Sequence, residues 1–224
     1  MFVSDDQALS ALDWWSLAGV DTLVDEAPRD WLAPPRPRAP AAAAAPPPPA
    51  ALPDTLDAFR RWWLESPDLP GPPATRLAPA GQAGARLMIL IDCPDREDVA
   101  AGRLLSGAAA GLFDRLLAAI GETRESVYLA AFWPSRAGAG RLPAGRMAEI
   151  ARHHIGLVAP RRLLLMGKAP AEALTAADAA AARGTLHSVA GVPTVATFAP
   201  AALIGQPALK ALVWADLLSL TEER

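Results

Sequence analysis

LMILIDCPDRED, residues 87–98, is the stretch whose reading decides the fold. Five consecutive apolar residues, Leu87 to Ile91, read as a strand buried on both faces. The strand runs into a turn holding Asp92, Cys93, Pro94 and Asp95, and the acidic residues that follow suit the first turn of a helix. Strand, tight turn and helix is the arrangement by which α/β proteins present a reactive residue.

The same pattern repeats downstream. Apolar runs VYLAAFW (127–133), RLLLM (162–166) and VPTVATF (192–198) alternate with helical stretches GLFDRLLAAIG, AGRMAEIARHHIGL, APAEALTAADAAAA and QPALKALVWADLLSL. Hydrophobic strands each followed by a helix predict a three-layer α/β/α sandwich around a four-stranded parallel sheet. Ligands are then expected at the carboxyl ends of the strands, in IDCPD, FWPSRAG, MGKAP and TFAPAAL.

Upstream of this body, composition marks three segments. Residues 1–32 read as an acidic amphipathic helical segment, with Leu9, Leu12, Trp15 and Leu23 among acids and Gly19 and Pro28 as breaks. Residues 33–53 are almost entirely alanine and proline, the composition of an extended linker. The domain proper is placed at 54–224. It opens with Asp54 and Thr55 capping a helix that carries Leu56, Phe59, Trp62 and Trp63, and Pro67, Pro70, Pro72 and Pro73 stop it.

Charge follows the same division. Residues 1–33 hold seven acids and one arginine, whereas the whole chain has 21 Lys+Arg against 24 Asp+Glu, so the remainder has 20 against 17 and is net +3. The single cysteine rules out a disulfide framework and any zinc or iron–sulfur site built from cysteines, and it suits a reducing compartment. The opening residues MFVSDDQALSALDWW carry neither a basic region nor a long apolar run, so a cytoplasmic protein without a membrane span is expected. A monomer is expected for the isolated chain.

Taken residue by residue, the strand-end loops are poor in chemistry. Cys93 has no histidine near it in sequence and reads as a small residue packed at a turn rather than a nucleophile. Asp92, Asp95, Glu97 and Asp98 suit either a base or metal role or a solvated acidic turn. His153 and His154 read as surface or helix C-terminal residues and His187 as part of a hairpin edge, which makes no metal constellation. MGKAPAEAL lacks the glycine spacing of a phosphate loop.

The order of these segments resembles a family 4-type uracil-DNA glycosylase. The resemblance is carried by LMILIDCPDREDVAAGRLLSGAAAGLFDRLL, DRLLAAIGETRESVYLA (114–130), GLVAPRRLLLMGKAPAEAL (156–174) and HSVAGVPTVATFAPAALIGQPALKALVWADLLSL (187–220). It also implies which positions would bear the chemistry. The family's Gly-Glu-Ala-Pro-Gly, where a polar residue orients the hydrolytic water, falls on Ile91, Asp92, Cys93, Pro94 and Asp95. The aromatic that stacks on the extruded uracil falls on Leu105. The asparagine that reads the base edge falls on Ala131, and the histidine that stabilises the departing uracil falls on Ala199. The four cysteines of the family's iron–sulfur cluster fall near Leu64, Pro67, Ser135 and Met147, so no cluster is expected.

A flipped base must be gripped by stacking and by hydrogen bonds to its edge. Loss of one donor to the developing charge commonly costs about 10²–10³ in rate, and two are missing here. The resemblance therefore leaves two readings. One is a catalytically inactive or severely impaired superfamily member that binds DNA, or a replication or repair protein; the other is an active glycosylase of altered specificity in which Asp92 positions water. Arg136, Arg141 and Arg146, around FWPSRAG, are the candidates for contacts to the DNA backbone, with ordinary solubilising arginines as the alternative. Trp14, Trp15 and Trp31 are the candidates for docking a protein partner, unless the leader folds back onto the body.

Overall fold

The computed structural model describes residues 51–221 together with Ser10, Asp13 to Trp15, Leu17 and Ala18. The expectations for Leu9, Leu12, Gly19, Leu23, Pro28, Trp31 and most of the linker lie outside the described residues. Two compact units are present, residues 1–49 and 50–224. In the first, Trp14 and Trp15 are helical and meet edge to face with ring centroids 5.0 Å apart. They are 62% and 50% exposed.

The second unit opens with α1 (Leu56–Glu65), whose N-terminus is capped by the Thr55 hydroxyl accepting from the Ala58 N–H. Ahead of it, Leu52 packs on the core and the carbonyl of Pro53 pairs with Nε2 of His153 at 2.8 Å. The body continues through β1 (Leu87–Ile91), α2 (Arg96–Ala101), α3 (Ala110–Ala119), β2 (Tyr128–Ala131), α4 (Ala144–Val158) and β3 (Arg162–Met166). It ends with α5 (Lys168–Thr175), α6 (Ala179–Ala182), β4 (Leu186–Val189), β5 (Val192–Thr197), α7 (Pro200–Gly205) and α8 (Leu209–Thr221).

The sheet has the order β2-β1-β3-β5-β4. Strands β1, β2, β3 and β5 are parallel, with Ile91 opposite both Ala131 and Met166. β1 is an interior strand, paired with β2 and β3, and every one of its residues is buried. Alternate residues feed two cores, as the two-residue period of a strand demands. Met88 and Leu90 join Phe59, Trp63, Met147 and Ile155 on one face, whereas Leu87, Ile89 and Ile91 join Phe113, Leu117, Val213 and Leu217 on the other. The three-layer α/β sandwich is as expected from the sequence.

Three details differ from the expectation. The sheet has five strands rather than four, because β4 pairs antiparallel with β5 at the edge. Ala190 and Gly191 join them with φ of 51° and 80°, the two successive left-handed residues of a tight hairpin turn. The stretch 169–182 is two helices, broken where Ala176 turns left-handed and Asp178 caps anew, its carboxylate accepting from the N–H groups of Ala180 and Ala181. His154, expected at the surface, is 3% exposed. Its ring stacks on Phe59 at 4.3 Å and Nε2 lies 2.8 Å from the Tyr128 hydroxyl. Among the described residues, no helix is long and apolar enough to cross a membrane.

Candidate nucleic-acid interface at the carboxyl ends of the strands

Parallel register brings the loops after β1, β2, β3 and β5 to one edge of the sheet. The first two are tied by main chain, since the N–H groups of Phe132 and Trp133 donate to the carbonyls of Ile91 and Asp92 at 2.7 and 2.8 Å.

Asp92 turns its carboxylate onto the start of α5, where Oδ1 accepts from the Ala169 N–H at 2.8 Å. The approach requires glycine at 167, with φ 129°, because a Cβ there would collide with the carboxylate. Burial raises the Asp92 pKa, opposed by the N–H groups of Ala169 and Lys168 and by Arg136. Cys93 is half-buried, and burial pushes its thiol up as well, which disfavours a thiolate. Pro94 is buried, and Asp95 caps α2 in a reciprocal arrangement whose other half is Asp98 Oδ2 accepting from the Asp95 N–H at 3.1 Å.

Leu105 is 8% exposed and packed into the second core, with φ 54°. Its loop is fixed by Asp98 and Glu97, two acids of the turn singled out in the sequence, of which Asp98 is buried rather than solvated, together with Arg124, which the sequence reading missed. Asp98 Oδ1 accepts from Ser106 N–H at 2.7 Å, and Glu97 Oε2 accepts from Ala108 N–H at 3.1 Å. Arg124 donates to the carbonyls of Leu104 and Leu105 at 3.0 and 2.7 Å while its guanidinium lies 5.0 Å from the Phe113 ring centroid.

Ala131 is 4% exposed at the end of β2. Ala199, half-buried, precedes α7 and has no polar side-chain atom. Behind it, Thr197 donates to Oδ2 of the buried Asp216 at 2.7 Å, and Asp216 pairs with Arg183, whose guanidinium covers Phe198 at 4.9 Å. The β5 end is thus closed by an internal polar network.

The cluster positions implied by the resemblance offer no thiolate. Leu64 packs on the core, Pro67 is exposed, Met147 is fully buried, and the Ser135 hydroxyl accepts from the Gly138 N–H at 3.2 Å. These residues do not fit an iron–sulfur cluster. The segment 64–71 is organised by Arg76, 5% exposed, which donates to the carbonyls of Leu64, Ser66, Leu69 and Gly71 at 3.3, 2.8, 2.7 and 2.8 Å. Among the described residues, no group of three His, Cys, Asp or Glu side chains could hold a metal ion.

The three arginines singled out in the sequence differ in setting. Arg136 pairs with Asp95, Arg146 pairs with Glu149 at 2.7 Å, and Arg141 is exposed and makes no ion pair among the described residues. Arg96, at the start of α2, is likewise exposed and without an ion pair among them. It was legible only as an arginine placed directly after the IDCPD turn. A cavity of about 430 Å³ opens here, lined by Thr75, Pro94, Asp95, Arg96, Val99, Arg136 and Ala137. Asp92, Leu105, Ala131 and Ala199 do not line it. A cationic, partly apolar strand-end surface of this kind suits a polyanion with exposed planar groups.

Residues 78–218, more than half of the 224-residue chain, match the family model of the Uracil DNA glycosylase superfamily, and the chain belongs to that superfamily.

Proposed function

We propose that this protein binds DNA in repair or replication without excising bases, and that it works without an iron–sulfur cluster. The observation that carries the reading is Leu105: the position assigned to the stacking aromatic holds a buried aliphatic side chain in a loop fixed by Arg124, Asp98 and Glu97. Ala131 and Ala199 support it, because neither can donate to a base edge or to a departing anion through its side chain. Contacts to phosphates need only cations and amides, which Arg96, Arg141 and the strand-end loops supply.

The test is incubation with uracil-containing single- and double-stranded DNA followed by cleavage of abasic sites, with retention of the same DNA measured in parallel. Salt-dependent retention without abasic product is expected. A second reading, an active glycosylase of altered specificity, is favoured by Asp92, a half-buried carboxylate of raised pKa at the carboxyl end of β1. Multiple turnover abolished by Asp92→Ala would establish that reading in place of ours.

The acidic leader is, in this proposal, the element that docks a replication or repair protein. The exposure of Trp14 and Trp15 supports it, since large apolar groups in an acidic segment suit an apolar groove with a basic rim. Deletion of residues 1–32 is expected to leave the melting temperature of the body unchanged. A large drop would make the leader part of the core and end the docking role.

A further inference from the structure

We infer that the cavity between Thr75, the start of α2 and the 3₁₀ turn Arg136–Gly138 is a subsite for one unstacked nucleotide of single-stranded DNA; this rests on the DNA-binding reading above. Its volume, about 430 Å³, lies in the range of pockets that enclose small planar ligands. Pro94, Val99, Ala137 and Thr75 offer apolar surface for the face of a base. Such contact is tolerant of sequence, because every base has a π-face.

The charges fit the remainder of a nucleotide. Asp95 is the single acid on the wall, and its carboxylate is engaged by Arg136. Arg96 is therefore left as one uncompensated cation at the rim, suited to one phosphate. The Arg136 guanidinium, paired with Asp95, adds a second surface on which a base can stack. A divalent cation is disfavoured by the two arginines, and a purely apolar ligand would leave Arg96 without a counter-charge. A paired base would have to leave its stack to enter, at a cost of roughly a few kcal/mol, so single strands are preferred over duplex.

The experiment titrates the full chain against a labelled oligothymidylate and against a duplex of equal length, following fluorescence anisotropy. Val99→Trp and Ala137→Trp fill the cavity from α2 and from the 3₁₀ turn; residue 137 is exposed, so its variant carries the test if the other does not fold. Each folded variant is expected to weaken single-strand binding by about tenfold or more, the effect of losing one stacked base, and to change duplex binding by less than about twofold. Arg96→Ala is expected to weaken single-strand binding and lower its salt slope by about one. Unchanged single-strand affinity in the filled variants, or equal loss on single strand and duplex, overturns the subsite while leaving DNA binding standing. Failure of the unmodified chain to bind either DNA overturns the DNA-binding reading itself.

Discussion

Nη2 of Arg124 donates to the carbonyl oxygen of Leu105 at 2.7 Å, and Leu105 is the residue that turns left-handed, with φ 54°, to bury its side chain. A β-carbon in that conformation costs roughly 1–2 kcal/mol. Burial of the leucine and the charged hydrogen bonds from Arg124 offset it. The Leu105 loop is thus locked into the core by groups scattered over residues 97–124.

Arg124→Ala should therefore lower stability by about 2 kcal/mol, the usual worth of charged hydrogen bonds to carbonyls that are then left under-satisfied. Urea unfolding monitored by tryptophan fluorescence measures it. A change below about 0.5 kcal/mol would show that the loop holds without the guanidinium.

Acid should weaken the fold through His154. Burial lowers its pKa from the ordinary value of 6.5 to about 3. The unfolded chain thus takes up a proton that the folded chain refuses, so this contribution is intact above pH 6.5 and lost as pH falls toward 3. His154→Gln, which keeps an acceptor for the Tyr128 hydroxyl, should flatten the fall in melting temperature over that window. An unaltered acid limb would remove the imidazole from the account.

Asp92 has the opposite sign. Its folded pKa is raised above 3.8 by burial, so the ionised carboxylate costs stability at neutral pH and the cost vanishes below the ordinary value. Asp92→Asn retains an oxygen to accept from Ala169 and removes the charge. It should raise the melting temperature at neutral pH, with the gain shrinking as the pH falls toward 3.8. A lower melting temperature at neutral pH would mean that the carboxylate charge stabilises the start of α5.

Arg76→Lys should destabilise the domain by about 3 kcal/mol or more, because a compact ammonium cannot reach four carbonyls spread over residues 64–71 and a buried partner is left unmade. Thermal unfolding checks it. Near-parental stability would show that the segment is held by its packing alone.

The parallel sheet was readable because strands buried on both faces must be apolar throughout, as LMILI and RLLLM are. That Asp92, Ala131 and Ala199 lie at the carboxyl ends of β1, β2 and β5 followed from the strand order. The sequence showed β4 only as a hairpin edge around His187 and not as a further strand of the sheet: at four residues, with Leu186 half-exposed and β5 its one partner strand, it has no continuous apolar run. Nor could a helical period place His154 inside, since Phe59 and Tyr128, which enclose it, lie 95 and 26 residues away in the chain.

What the sequence by itself determined is the layered α/β body and the acidic leader set apart by alanine and proline. Those properties are local, carried by composition and by a period along the chain. Only the tertiary structure decided that Leu105 is locked into the core, that Arg76 ties together the segment 64–71, and that a cavity opens between Arg96 and Arg136. Each depends on the distance between groups remote in sequence, and hydrogen bonds and burial are set by distance rather than by order along the chain.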